Sequence, residues 1–158
     1  MVGFVLIVVL VVVAMMVFLV ISSRQPTDAR QSIQAENLIS VLMSSTTECA
    51  ISYEPEYDNV RELIKSCYEN KKCSNLDRMA CDYLDEYLKK VLGDVMATES
   101  AISAYEIEIY FVDEEETSLS TLFEDAGGSC ESSVFGAFET INVEGGTIRF
   151  TMDFCYNG

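Results

Sequence analysis

From Val2 through Ile21 the chain carries no charged side chain, and Val, Ile, Leu, Phe and Met fill almost every position. No other feature limits the possible folds so strongly, because such a surface must be hidden in lipid or in other protein. At ~1.5 Å per residue, a helix of roughly 21 residues spans about 32 Å, close to the hydrocarbon thickness of a bilayer. The run is too long for the apolar part of a cleaved secretory signal, and no small-residue cleavage site succeeds it. A transmembrane helix is therefore expected here. No Lys or Arg precedes the run, whereas Arg24 and Arg30 lie behind it. Taken alone, that asymmetry places the remainder of the chain in the cytoplasm.

The cysteines argue the other way. Six stand at Cys49, Cys67, Cys73, Cys81, Cys130 and Cys155. An even number in a small domain behind an apolar segment predicts three disulfides in an oxidising compartment. A zinc site is disfavoured, because the shortest gap is Cys67-x5-Cys73 and the chain has no histidine. Cys130 and Cys155 flank the final hairpin and are the expected pair. The other four allow three pairings, with helical geometry favouring a bridge from Cys67 or Cys73 to Cys49 or Cys81. A basic leader removed ahead of Met1 reconciles disulfides with orientation; Met1 as a true initiator is the alternative.

Such processing is that of type IV prepilins, and the sequence resembles a type IV pilin-like protein of the archaeal sort. The residues that carry the resemblance are the apolar run Met1–Ile21, Pro26 and the amphipathic continuation Thr27–Met43, about the first 47 residues. Bacterial pilins typically place a glutamate near the mature N-terminus; here the position holds Val5 and no acid precedes Asp28. The resemblance implies one long helix kinked at Pro26, with Phe4, Leu6, Ile7, Leu10, Val13, Met16, Phe18 and Leu19 forming an assembly surface. Physical chemistry supports the kink, since proline removes one helical hydrogen bond and bends the axis. After it Ala29, Ile33, Leu38, Ile39, Leu42 and Met43 recur at helical spacing, a stripe able to dock on a domain.

Residues 1–47 are thus expected to form the N-terminal helix, a membrane anchor before assembly and a filament core after it. Residues 48–158 are expected to form an acidic extracellular domain. The net charge is −16, and all of it falls in the second part, with eight basic and 24 acidic residues. A domain so anionic repels phosphate backbones and anionic lipid surfaces, which argues against nucleic-acid binding.

Within that part, Val60, Leu63, Ile64 and Cys67 predict a short helix over Tyr57–Tyr68 with Asp58 as its cap. Leu76, Met79, Ala80, Tyr83, Leu84, Tyr87, Leu88, Val91 and Leu92 predict a second, capped by Ser74 or Asn75 and stopped at Gly93. Beyond Thr98 the period changes to two. Tyr105, Ile107, Ile109 and Phe111 alternate with Glu106, Glu108 and Tyr110, a half-buried strand. Leu119–Phe123 is ambiguous, and Gly127-Gly128-Ser129 reads as a loop. Phe135–Val143 reads as a strand, Glu144-Gly145-Gly146 as a turn, and Ile148, Phe150, Met152 and Phe154 as the inward face of a last strand. The expected fold class is α+β: a long kinked N-terminal hydrophobic helix, two short helices and a small C-terminal antiparallel sheet, stapled by disulfides.

Catalytic signatures do not emerge. Without histidine the usual general base is missing, and no G-x-S-x-G, phosphate-binding glycine loop or H-E-x-x-H occurs. Glu106 and Glu108 read as the wet face of a strand, and Asp113-Glu114-Glu115-Glu116 as a solvated acidic turn rather than a calcium loop. No cofactor, metal or small-molecule substrate is expected, and no enzymatic role. The expected function is a structural subunit of an extracellular type IV pilus-like filament that serves cell adhesion. It would be a homo-oligomer through its N-terminal helices, reaching the cell surface from a membrane-anchored precursor. The alternative is a single-copy membrane-anchored extracellular binding module, or a minor pilin that does not polymerise.

Overall fold

Left-handed turns and the cysteine bridges punctuate this chain more finely than its apolar periodicity suggests. The computed structural model describes residues 2–23, 27–53, 55–98, 102–115, 119–130 and 134–156. The elements run α1 (Val2–Ser23), α2 (Thr27–Ser44), α3 (Val60–Tyr68), β1 (Lys72–Cys73), β2 (Arg78–Met79), α4 (Ala80–Thr98), β3 (Ile102–Asp113), β4 (Leu119–Gly128), β5 (Val134–Val143) and β6 (Gly146–Tyr156). Contacts divide the chain into two units, Met1–Arg30 and Gln31–Gly158.

The first unit contains α1, whose side chains are described over residues 7–19. That stretch rises about 20 Å at 1.5 Å per residue, short of a ~30 Å hydrocarbon core. Among the described residues no helix is long and apolar enough to cross a membrane, which corrects the transmembrane expectation.

The second unit is built on a four-stranded antiparallel sheet of order β4-β3-β6-β5. Ile107, Ile109, Ile148, Phe150, Met152 and Phe154 alternate to one side and are buried. Leu63 and Ile64 of α3, Leu84, Leu88 and Leu92 of α4, and Ala35, Ile39, Leu42 and Met43 of α2 join them in one core cluster. The hairpin β5–β6 closes between Val143 and Gly146, where Gly145 takes φ +84, the left-handed geometry that glycine adopts without steric cost.

The fold class expected from sequence is corrected in four places. First, the single long kinked helix is two helices, α1 and α2. Pro26, to which the kink was assigned, lies outside the described residues. Thr27 and Asp28 suit a helix start, where exposed N–H groups favour oxygen-bearing and acidic side chains. Second, the two short helices differ from expectation. The first begins at Val60 and is capped by Asn59, whose side chain accepts from the Glu62 N–H, while Asp58 uses its backbone to pair with Thr47 and Cys49. The second begins only at Ala80 and is 19 residues long, passing through Gly93 without stopping. Third, Lys72–Cys73 pairs with Arg78–Met79 as a separate two-stranded ribbon. Asn70 and Asp77 adopt φ 54 beside it, a geometry these short polar side chains tolerate, and this takes Leu76 out of the helix. The four-stranded sheet is also larger than a small C-terminal sheet, because β4 carries on through Gly127 and Gly128.

Candidate functional site

Two surfaces stand out, one in each unit. In α1 the large apolar side chains from Ile7 to Leu19 are 44–69 % exposed, among them Leu10, Val13, Met16, Phe18 and Leu19. Apolar residues occupy every side of the helix rather than one stripe, so no polar face exists to meet water. Phe4 and Leu6 also belong to α1, although their side chains lie outside the described residues. Pro26 does so entirely.

In the second unit the six cysteines form Cys49–Cys73, Cys67–Cys81 and Cys130–Cys155, leaving no free thiol. The first two lock the connection between α2 and α4. Around them, Asn75 accepts from the Ala50 N–H at 2.9 Å and donates to the Glu48 carbonyl at 2.7 Å. The Tyr83 hydroxyl accepts from the Glu48 N–H at 3.0 Å, and Tyr87 shares a 3.1 Å hydrogen bond with Ser45. Residues 45–50 are therefore tied to α4 by hydrogen bonds and to β1 by the Cys49–Cys73 bridge. Burial raises the Tyr83 pKa and also that of Asp58, the latter opposed by a hydrogen bond from Ser66.

The sheet face turned away from the core is the second surface. Its register places Thr121, Tyr110, Arg149 and Thr140 side by side across all four strands. The next row toward the β5–β6 turn is Leu119, Val112, Thr147 and Asn142; the next row the other way is Glu124, Glu108, Thr151 and Phe138. The Arg149 guanidinium lies 6.0 Å from the Tyr110 ring centre and 5.9 Å from that of Phe138, the range in which a cation is attracted to an aromatic face. A cavity of about 460 Å³ opens here, lined by Arg149, Tyr110, Leu119, Thr121, Glu108 and Glu124 among others.

At the opposite end of the sheet the Tyr105 hydroxyl donates to Asp125 at 2.7 Å. Burial first, and then that contact and the Asp125 charge, push the Tyr105 pKa up to about 12. Among the described residues no group of three His, Cys, Asp or Glu side chains is placed to hold a metal ion.

Sequence reasoning marked Glu106 and Glu108 as a wet strand face but missed Arg149 as its centre. The only signal was a lone basic residue in the β5–β6 hairpin, whose cross-strand neighbours depend on the register of four strands. No protein-family model, curated protein or solved structure matches this chain.

Proposed function

We propose that this chain is a structural subunit of an extracellular filament of the type IV pilus kind, assembled through copies of α1. The observation that carries this reading is the exposure of apolar side chains on all sides of residues 7–19. Burying one such side chain is worth about 1.5–3 kcal/mol, so a helix with so many of them gains most from neighbours that cover it all round. Copies of the same helix supply that cover without bringing charge together, since no ionisable side chain lies between Val2 and Ile21. The disulfides suit an oxidising, extracellular setting. The acidic second unit keeps the assembled surface soluble.

Electron microscopy of native material should reveal filaments with a helical core. They should persist as sodium chloride rises, because repulsion between like charges on neighbouring subunits is screened beyond about 8–10 Å at 0.1–0.15 M salt. Discrete monomers at every concentration, or filaments that dissolve with added salt, reject the reading.

A further inference from the structure

The cavity on the open sheet face has features that a packing surface does not need. Its charged side chains are not spent on one another: among the described residues Arg149, Glu108 and Glu124 form no ion pair, although six other Lys and Arg residues of this unit do. Arg149 is held between Tyr110 and Phe138 instead. Carboxylates, a guanidinium, the Thr121 hydroxyl and the apolar surfaces of Tyr110, Val112 and Leu119 thus line one space. At about 460 Å³ it falls in the size range of small-ligand clefts, about 300–1,000 Å³.

We propose that this cavity is a binding site for neutral oligosaccharide. Charge selects the ligand class. A carboxylate or phosphate attracted to Arg149 also meets Glu108 and Glu124, on a chain whose net charge is −16. A cation drawn to the glutamates meets Arg149. A sugar hydroxyl carries no charge and both donates and accepts, so it pairs with the guanidinium on one side and the carboxylates on the other. The C–H face of a sugar ring is apolar and fits against Tyr110, Val112 and Leu119, excluding water from those hydrogen bonds. The site is lined by residues of the second unit alone and draws on none of α1, so the proposal stands whether or not the chain polymerises.

The test is an array of immobilised neutral and acidic oligosaccharides probed with the full chain in a zwitterionic detergent that carries no sugar headgroup. Retention on neutral gluco-, galacto- or manno-oligosaccharides is expected. Arg149→Gln should weaken it roughly tenfold or more, since a hydrogen bond to a charged group contributes about 1.5–3 kcal/mol. Leu119→Asp, at a side chain 72 % exposed and so harmless to folding, should abolish it. Both variants should melt with wild type. Retention on no neutral glycan, retention on acidic glycans alone, or retention that both variants leave intact overturns the proposal.

Discussion

Residues 7–19 and the six inward side chains of β3 and β6 are comparably apolar, yet their fates are opposite. The side chains of α1 stay exposed, while Ile107, Ile109, Ile148, Phe150, Met152 and Phe154 are sealed from solvent. Arrangement separates them. In the strands each apolar residue is followed by a polar or smaller one, so one face is marked for burial and the other for water. In α1 every side is apolar and the helix has no instruction about which way to turn. Alternation lets a chain solve its burial problem within itself; uniform hydrophobicity hands the problem to a partner.

The largest way to break this comparison is to place charge in the unpatterned helix. Leu10→Asp with Phe18→Asp should abolish assembly, since each uncompensated buried carboxylate costs several kcal/mol. Thermal melting of the second unit should not move. Filaments of normal length from this variant would mean that α1 is not the surface being covered.

The same residue type gives a second contrast. Phe150→Ala, at a fully buried position, should lower the unfolding free energy by about 3–5 kcal/mol. Phe18→Ala should leave domain stability within about 0.5 kcal/mol. Urea denaturation of both variants decides it, and equal losses would erase the distinction between the regions.

Covalent stapling belongs to the patterned region alone. Replacing Cys130 and Cys155 by Ser opens a loop with a sequence separation of 25. The expected loss is about 3 kcal/mol, with two alkylatable thiols fewer after reduction. An unchanged urea midpoint would assign the bridge no part in domain stability.

A finer probe uses pH. Tyr105 is held protonated up to about 12, against an ordinary value of 10.0. The unfolded chain releases that proton first, so the contribution is complete below about pH 10 and is lost as pH climbs toward about 12. Urea midpoints of wild type should fall more steeply from pH 10 to 11.5 than those of Tyr105→Phe. Parallel curves would remove the Tyr105–Asp125 contact from the account.

The smallest effect is a gain. Gly93 lies inside α4, and a Cβ built there meets no atom within 4 Å. Gly93→Ala should stabilise the domain by about 0.5–1 kcal/mol in a thermal melt, whereas a loss would show that the helix does need a break there.

These contrasts also mark what the sequence could reveal. The inward residues of β6 and the turn at Glu144-Gly145 were legible because alternation and a glycine signal are local. The extent of α4 was not. Leu76 and Met79 share a helical period with Tyr83, but the Cys49–Cys73 bridge and the left-handed Asp77 fold that stretch into a ribbon. Gly93 signalled a stop, yet Val95 and Met96 still pack against the core and carry the helix onward. Gly127 and Gly128 read as a loop because pairing with Tyr105 and Ala104 is set by the far end of β3. The sheet-face cavity was the least legible part, since Tyr110, Thr121 and Arg149 meet only once three strands are in register.

The two bridges Cys49–Cys73 and Cys67–Cys81 overlap along the chain, each beginning before the other has ended. A protease cut after any residue from Cys49 to Ala80 therefore leaves at least one covalent link across the break. No single nick in that stretch can release a fragment until a reductant opens a bridge. The chain thereby acquires damage tolerance from the order of its cross-links, independently of how stable its fold is.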